Sequence, residues 1–279
     1  NSGYGVREIS LEHPVAEDIN IIVLADMRSD FTEEEFRNFD AYLERGGNLF
    51  ILGEPKRQQF MNPVIERLGL RFADGIIVSP SEVNLDDLVA ANIKEGAAKV
   101  SENYIRYFRS GYSIMTPSAC AVEVIDSAKG FEITEVLASA GKGSWVEKET
   151  TDFINEKSVL NPAVGEVEKS NSIMLYLTRP VNNKEQRIFV IGDADCISTL
   201  ELSQNRPGFR SSNFTLITET FRNLSYGEFP VEASRVNPPD DRVLVTRNVI
   251  FGIRVVLMWI IPLLFVTGCI TLLIRRKRK

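Results

Sequence analysis

The chain has 279 residues, of which 25% are charged and 44% are hydrophobic, and this composition excludes general disorder. Three cysteines and a single histidine, His13, are too few for a disulfide-rich scaffold, a four-cysteine zinc site or histidine-based catalysis. Six of the 32 basic residues lie from Arg254 onward, which leaves 26 basic against 38 acidic residues, a net charge of −12, in residues 1–253. Because nucleic acid requires a basic surface, we predict no nucleic-acid partner.

The first predicted unit is a strand, a helix and a second strand. Two short, continuous apolar runs, Asp18–Ala25 and Asn48–Gly53, are typical of strands that are covered on both faces of a sheet. Between them, Thr32–Arg45 is predicted as a helix, because Thr32 and Glu35 form a capping box and apolar residues recur at helical spacing. Two glycines end this helix. The unit predicts a right-handed crossover between parallel strands.

The rest of the body predicts further strands and helices. Arg187–Gly192 repeats the pattern of a buried strand, and Ser211–Leu224 is predicted as a helix. Weaker patterns predict a helix at Gln59–Leu68 and strands at Gly75–Val78, Val122–Ile125, Ile133–Ala138 and Ile173–Leu177. Residues 140–172 are rich in Gly, Ser, Lys and Glu, which indicates a long exposed loop or a hairpin insertion. We therefore predict an α/β, Rossmann/flavodoxin-like fold with a mostly parallel sheet and helices on both faces.

The chain contains neither a phosphate-binding loop motif nor the G-x-G-x-x-G motif of dinucleotide-binding folds. The nearest match to a phosphate-binding loop, Gly141–Ser144, follows Val136 where the motif needs its first glycine, and has Gly143 in place of the final hydroxyl residue. No G-x-G-x-x-G motif follows a predicted strand. We therefore predict no cofactor and no nucleotide bound by this chain.

Cysteine chemistry has little support in the sequence. Cys196 follows the late strand, but the only histidine that could act as its base is His13, which lies far away in the sequence. We interpret Cys196 as a buried, inert thiol, and an unconventional hydrolase that uses this thiol is the alternative. A disulfide between Cys120 and Cys196 stays open. We predict that the chain is not an enzyme.

Acidic residues follow three of the predicted strands. Asp26 follows the first strand, Glu54 the second, and Asp193 and Asp195 the late one. Ligands of open parallel sheets bind beyond the carboxyl ends of the strands, so four carboxylates would converge at one edge if these strands are neighbours. One interpretation is a cation or polyol site, or a docking face, and we assign no metal ligand. The other interpretation is turn formation and helix capping, which acidic residues at such positions commonly provide.

The C-terminal part predicts one transmembrane helix. Val255–Ile274 is a run of 20 residues without a charge, and a helix of that length spans roughly 30 Å, the thickness of the hydrocarbon core of a bilayer. Trp259 lies about one turn into the run and is expected to anchor it at the outer interface, and Pro262 is expected to kink it. Arg275 and Arg276 begin a basic tail, and such tails stay on the cytoplasmic side.

These features predict a single-pass protein of the cytoplasmic (inner) membrane whose body is extracytoplasmic or periplasmic and whose C-terminus is cytoplasmic. The predicted segments are an α/β body at 1–228, a stalk at 229–253, a transmembrane helix at 254–275 and a basic tail at 276–279.

The order of these features resembles a known family. Asp18–Ala25, Thr32–Gly47 (TEEEFRNFDAYLERGG) and Asn48–Glu54 (NLFILGE) look like the start of the auxiliary domain of gliding-motility-type (GldG-like) ABC transporters. Arg187–Asp195 (RIFVIGDAD), a helix that begins near Asn213, and a terminal span with a proline and a basic tail follow in the same order. The first portion also resembles the wider amidotransferase-like group, whose cysteine this chain lacks.

The resemblance implies a non-enzymatic, membrane-anchored accessory subunit outside the cytoplasmic membrane. Its implied partners are an ABC permease, a separate ATPase and the lipid bilayer, and no ligand residues are carried over from the family. The alternative hypothesis is an extracytoplasmic module that binds glycans or cell-wall material. The acidic edge would serve such a module, together with Tyr104, Tyr107 and Tyr112 as exposed aromatic residues.

Overall fold

The computed structural model describes residues 4–126, 129–206, 208–229 and 247–278. The chain divides into two compact units, a body within Asn1–Glu232 and a C-terminal unit within Ala233–Lys279. Most of the predicted stalk at 229–253 lies outside the described residues.

The body alternates strands and helices at its start and is richer in strands afterwards. Its strands are β1 (Ile21–Ala25), β2 (Asn48–Leu52), β3 (Leu70–Phe72), β4 (Ile76–Val78), β5 (Leu88–Ile93), β6 (Ile114–Pro117), β7 (Val122–Val124), β8 (Glu132–Ala138), β9 (Trp145–Glu147), β10 (Ser172–Val181) and β11 (Lys184–Ile191). Its α-helices are α1 (Glu33–Glu44), α2 (Gln58–Ile65), α3 (Glu102–Arg109), α4 (Thr199–Ser203) and α5 (Asn213–Leu224). Short 3-10 turns lie at Glu66–Leu68, Glu95–Lys99, Pro162–Val164 and Asp195–Ile197.

Seven strands form one mixed sheet in the order β1-β2-β11-β10-β8-β5-β6, and this sheet is curled into a half-barrel. The pairs β1-β2 and β2-β11 are parallel, whereas the other four neighbouring pairs are antiparallel. The prediction of a mostly parallel sheet is therefore wrong, and a Rossmann/flavodoxin-like arrangement is not confirmed. One physical reason is the tight turn between β10 and β11, since a two-residue connection can only join antiparallel strands.

The central strands separate two cores, one on each face of the sheet. In β2, Leu49 and Ile51 belong to the core that contains α1 and α2, whereas Phe50 and Leu52 belong to the core that contains α3 and α5. All five residues of β2 are buried. A strand without a solvent face favours apolar side chains, which explains the apolar run Leu49–Leu52, and the buried Asn48 side chain donates to the Leu224 carbonyl and accepts from the N–H of Arg187.

The first helix begins where its sequence predicts. The Thr32 hydroxyl oxygen accepts from the N–H of Glu35, and the Glu35 carboxylate accepts from the N–H of Thr32, so the predicted capping box is confirmed. Beyond the end of α1, a Cβ on Gly47 would lie 2.2 Å from the Tyr42 ring, so the close approach requires glycine. The Tyr42 hydroxyl donates to the Asn48 carbonyl at 2.8 Å and ties α1 to the start of β2.

Most residues of the segment at 140–172 are exposed and lie outside helices and strands, as the loop alternative predicts, but a few are buried. The segment contains β9, which pairs antiparallel with β4 from outside the segment, so its one described strand does not form a hairpin within the segment. Trp145 and Phe153 are buried against Ile76 and Val78 in a small core of their own. The sequence did not reveal this small core, because the two aromatic side chains are isolated among polar residues and show no periodicity.

The C-terminal unit is a helical run that comprises α6 (Arg247–Val255), a π-helical segment (Val256–Ile260) and α7 (Ile261–Lys277). The run Val249–Lys277 is long and apolar enough to cross a membrane, with a mean hydropathy of 2.6 in its most apolar window. Trp259 lies in the π-helical segment, which ends just before Pro262. Proline lacks an N–H and its ring crowds the preceding turn, and a wider turn at that point accommodates both effects.

Candidate functional site

The structure brings the four predicted acidic residues to one edge of the sheet. β1, β2 and β11 are parallel neighbours, so the residues that follow them lie side by side. Asp26 directly follows β1, and Glu54 is the second residue after the end of β2. Asp193 and Asp195 are the second and fourth residues after the end of β11. The charges of Asp195 and Asp26 both act on Glu54, which shows that the carboxyl groups form one electrostatic cluster. We call these four residues the acidic edge.

Two arginines that the sequence did not single out compensate the charge of Asp26. The Arg28 guanidinium donates to the Asp26 carboxylate at 2.6 Å, and Arg57 Nε lies 3.3 Å from its other oxygen. Asp26 itself has a φ of +43°, in the left-handed region that Asp tolerates better than most residues. The outer part of the acidic edge is therefore an ion-pair cluster and a turn, as the capping and turn interpretation expects.

Glu54 is the half-buried member of the acidic edge. Burial raises its pKa to about 7, and the negative charges of Asp195 and Asp26 act in the same direction. A hydrogen bond from the backbone of Ala194 and the charge of Arg57 oppose this rise but do not cancel it. Glu54 therefore gains or loses a proton near neutral pH.

Asp193 is completely buried. Its Oδ1 atom accepts from the backbone N–H groups of Asp195 at 2.8 Å and Cys196 at 3.1 Å, and so caps the 3-10 turn that follows β11. Its Oδ2 atom is buried and has no hydrogen-bond partner among the described residues. Burial raises the pKa of Asp193 well above its usual range, and the charge of Glu54 adds to the effect. Asp195, by contrast, is exposed.

The structure offers no support for nucleophilic chemistry at the cysteines near the acidic edge. Cys120 and Cys196 are both buried and free, so the disulfide that the sequence left open is not formed. The Cys196 thiol donates to the Asp193 carbonyl at 3.2 Å. Burial, together with the neighbouring carboxylates, raises the pKa of Cys196 well above its usual range, which disfavours the reactive thiolate.

The acidic edge can hold and release a proton, but within the part of the chain that the structure describes, no group of three or more Asp, Glu, His or Cys side chains is arranged to hold a metal ion.

The three tyrosines expected to contact a glycan are less exposed than predicted. Tyr104 is fully buried, and its hydroxyl donates to the Leu216 carbonyl at 3.0 Å, so the prediction that it is exposed is wrong. Tyr107 and Tyr112 are half-buried and pack edge to face at 5.1 Å.

Apart from the acidic edge, two buried carboxyl groups lie close together in the 140–172 segment, and the sequence did not reveal them. Glu147 and Glu166 are both nearly inaccessible. The Glu147 carboxylate accepts from the backbone of Glu149 and Thr150 and from the Trp145 indole N–H. Burial by itself raises the pKa of Glu147, but these hydrogen bonds, together with one to the Glu166 side chain, outweigh that effect, so the pKa of Glu147 lies below the usual range. Backbone N–H groups of the loop donate to both carboxylates, so the loop folds around the two side chains.

Comparison with known families gives one match. Residues 1–113 match the family model described as "ABC-type uncharacterized transport system". The match indicates an auxiliary component of an ABC-type transport system, although it covers less than half of the chain. The gliding-motility-type subfamily and an amidotransferase-like domain stay predictions. No curated protein matches the chain at a significant level.

Among solved structures, the fold resembles the "mmIFT52 N-terminal domain". The two share 16% sequence identity over 75% of this chain and 78% of that chain, with a TM-score of 0.50, and the likeness concerns the fold alone. A ThuA-like protein from Parabacteroides merdae ATCC 43184 matches with 12% identity over 69% of this chain and 75% of that chain. Its TM-score of 0.36 is too low to carry an argument.

Proposed function

We propose that the chain is a non-enzymatic, membrane-anchored accessory subunit of an ABC-type transport system of the gliding-motility type, and that it acts beside a permease and a separate ATPase. The observation that carries this proposal is the match of residues 1–113 to an ABC transport family. The burial of both body cysteines and the structural use of Asp193 as a cap support a role in assembly rather than in chemistry.

The apolar helix Val249–Lys277 supports membrane anchoring. We propose that it spans the inner membrane once, with Trp259 at the outer interface and the body, residues 1–228, on the extracytoplasmic side. Arg275 and Arg276 lie in the last turn of α7, and the positive-inside tendency favours a cytoplasmic position for them.

The partners are tested by purifying the tagged full chain from membranes in a mild detergent. We expect a permease and an ATPase of the same transport system to copurify in fixed ratio. The matched control is an unrelated single-pass protein with the same tag and expression level. Recovery of neither subunit, or of equal amounts with the control, would contradict the proposed function.

The topology is tested by labelling single cysteines with a membrane-impermeant maleimide, in a chain whose Cys269 is replaced by serine. Cys120 and Cys196 are buried and should stay unlabelled in the folded protein. Glu156→Cys, at an exposed position of the body, should react in cells whose outer membrane is permeable to the reagent and whose inner membrane is intact. Arg278→Cys should react only after the inner membrane is opened. The reverse result would place the body in the cytoplasm.

The alternative, a glycan-binding module, has less support. Asp26 is already paired with Arg28 and Arg57, Asp193 is inaccessible and Tyr104 is buried. Of the residues expected to bind a sugar, Glu54 and Asp195 keep carboxyl groups that reach solvent.

A further inference from the structure

β1 is the edge strand of the seven-stranded sheet, and no strand among the described residues pairs with its outer side. The N–H of Asp26 donates to the Leu52 carbonyl, and the carbonyl of Asn20 accepts from Asn48, so even-numbered residues point their backbone groups toward β2. The N–H and C=O groups of the odd-numbered residues, Ile21, Val23 and Ala25, therefore point away from the sheet. Within the described residues, no hydrogen bond reaches any of them.

This edge lacks the features that normally prevent pairing with another chain. Soluble proteins protect edge strands with charged residues, prolines or bulges. The sequence of β1 is Ile-Ile-Val-Leu-Ala, with none of these, and its register with β2 is regular over all five residues. Val23 is 45% exposed. An apolar, regular and partly exposed edge is a template for strand addition.

A groove of about 1780 Å³ runs along this edge. One wall is formed by residues 4–11, and another by α5 and the residues after it, including Phe214 and Phe221. Phe31 and Leu24 line it from the opposite face of the sheet. Small-molecule pockets have volumes of roughly 300–1,000 Å³, so this groove is large enough for a polypeptide segment.

We propose that the β1 edge binds an extended segment of another protein, which adds to the sheet as an eighth strand. The outward N–H and C=O groups of Ile21, Val23 and Ala25 would supply the backbone hydrogen bonds. The walls on the two faces would take side chains at alternate positions, because successive side chains of a strand point to opposite faces. A second copy of this chain fits less well, because pairing of two β1 edges would bring together two grooves whose linings both carry an excess of acidic side chains.

The charges along the groove favour a segment with basic residues. The lining includes five acidic and three basic side chains, and one pair, Arg7 and Asp18, is already joined at 2.8 Å. Glu8, Glu17 and Glu228 have no basic partner among the described residues. The expected ligand therefore alternates apolar residues and carries lysine or arginine at its ends.

The test uses the full chain in detergent and an array of peptides that alternate Val, Ile or Phe with Thr between terminal lysines. Members of the array should bind, and N-methylation of alternate peptide amides should abolish binding in one register only, because backbone groups make the contacts. Hydrogen exchange at the amides of Ile21, Val23 and Ala25 should slow on binding. Exchange at Ile22 and Leu24, which already face β2, should not change.

Variants at Val23 separate the edge from other surfaces. Val23→Lys should weaken binding by about tenfold or more, because a lysine on an edge strand opposes strand addition. Val23→Pro removes one outward N–H and no hydrogen bond to β2, and it should have the same effect. Val167→Lys, at an exposed valine far along the chain, is the matched control and should bind normally.

Three outcomes would overturn the proposal: absence of binding across the array, binding that survives both Val23 variants, or unchanged exchange at Val23. Self-association of the chain that Val23→Lys abolishes would also overturn it, in favour of a second copy. The test is independent of the transport system, because copurification of a permease can fail or succeed whatever the β1 edge binds.

Discussion

Two pairs of carboxyl groups in the body, Glu54 with Asp193 and Glu147 with Glu166, differ in what opposes the effect of burial. The pKa values of Glu54 and Asp193 are raised, whereas the pKa of Glu147 is lowered. The difference lies in the donors around them. Five N–H groups donate to the four carboxylate oxygens of Glu147 and Glu166. Asp193, in contrast, keeps one oxygen without a partner among the described residues.

The comparison shows that burial alone does not decide how a carboxyl group affects stability. Desolvation disfavours the charged form, and hydrogen bonds to that form favour it. At the loop formed around Glu147 the hydrogen bonds prevail, so the ionised group stabilises the fold. At the acidic edge desolvation and like charges prevail, so ionisation destabilises the fold. The two regions should therefore react in opposite directions to mutation and to pH.

The largest expected effect is at Glu147. Glu147→Gln replaces an acceptor by an N–H₂ group that faces N–H donors, and it should lower the free energy of unfolding by about 2 kcal/mol at neutral pH. Trp145, which donates to Glu147 at 3.1 Å, is the reporter, so urea unfolding of the full chain can be followed by its fluorescence. Because the pKa of Glu147 is lowered by folding, the effect should shrink as the pH falls below about 4.5.

Glu156→Gln provides the control for this measurement. Glu156 is an exposed acid of the same segment, and its neutralisation should leave stability nearly unchanged. Equal losses in the two variants would mean that the hydrogen bonds to Glu147 contribute nothing specific.

Asp193→Asn should act in the opposite direction. Asparagine keeps an oxygen for the N–H groups of Asp195 and Cys196 and cannot ionise. We expect a gain of about 1 kcal/mol at neutral pH, because the raised pKa makes ionisation of Asp193 unfavourable in the folded state. Chemical denaturation gives the value, and the exposed Asp195→Asn should change it less. A loss comparable to that of Glu147→Gln would mean that the unpartnered oxygen has a stabilising contact.

How far the sequence anticipates these regions depends on whether the deciding interactions are local. The capping box of Thr32 and Glu35 spans three residues and was predicted correctly. The positions of Asp26 and Glu54 at one edge were also predictable, because a short strand–helix–strand unit favours parallel pairing. Whether the strand before Asp193 is their neighbour was left open by the sequence, and the structure pairs it with β2. The burial of Asp193 and the arginine partners of Asp26 were not predictable, because they depend on side chains that converge only in the folded chain.

The antiparallel half shows what the sequence contained and what it did not. Asn182 and Asn183 both have positive φ, as a type I′ hairpin turn requires, and Asn-rich dipeptides between apolar runs favour such turns. The prediction ended one strand at Leu177 and began the next at Arg187, and so missed this hairpin. β5 has the sequence LVAANI, whose alanines and asparagine do not distinguish a strand. Its position is determined by pairing with β6 and β8.

Glu54 offers a smaller effect with a distinct pH dependence. Its pKa of about 7 in the folded protein exceeds the usual value of 4.5, so the folded state binds more protons between these values. Stability from this group is therefore present at low pH and is lost as the pH rises toward about 7. Glu54→Gln should leave the free energy of unfolding unchanged near pH 4 and raise it near pH 8, by less than about 1 kcal/mol after solvent screening. A variant with the wild-type pH profile would contradict the assignment.

The smallest effect is expected at Arg57, where the acidic edge meets solvent. Arg57→Ala removes an ion pair to Asp26 at 3.3 Å whose partners are both partly exposed, so the loss should be about 0.5 kcal/mol. Added salt should erase most of this loss, because screening weakens exposed pairs.

The charge of Arg57 also lowers the pKa of Glu54, so removal of the Arg57 charge should move the titration of Glu54 to higher pH. NMR of the side-chain carboxyl carbon of Glu54 measures that shift directly. The control is Arg71→Ala, because Arg71 is an exposed arginine that pairs with Glu66. A large loss of stability without a shift of the Glu54 titration would mean that Arg57 acts through packing instead of charge.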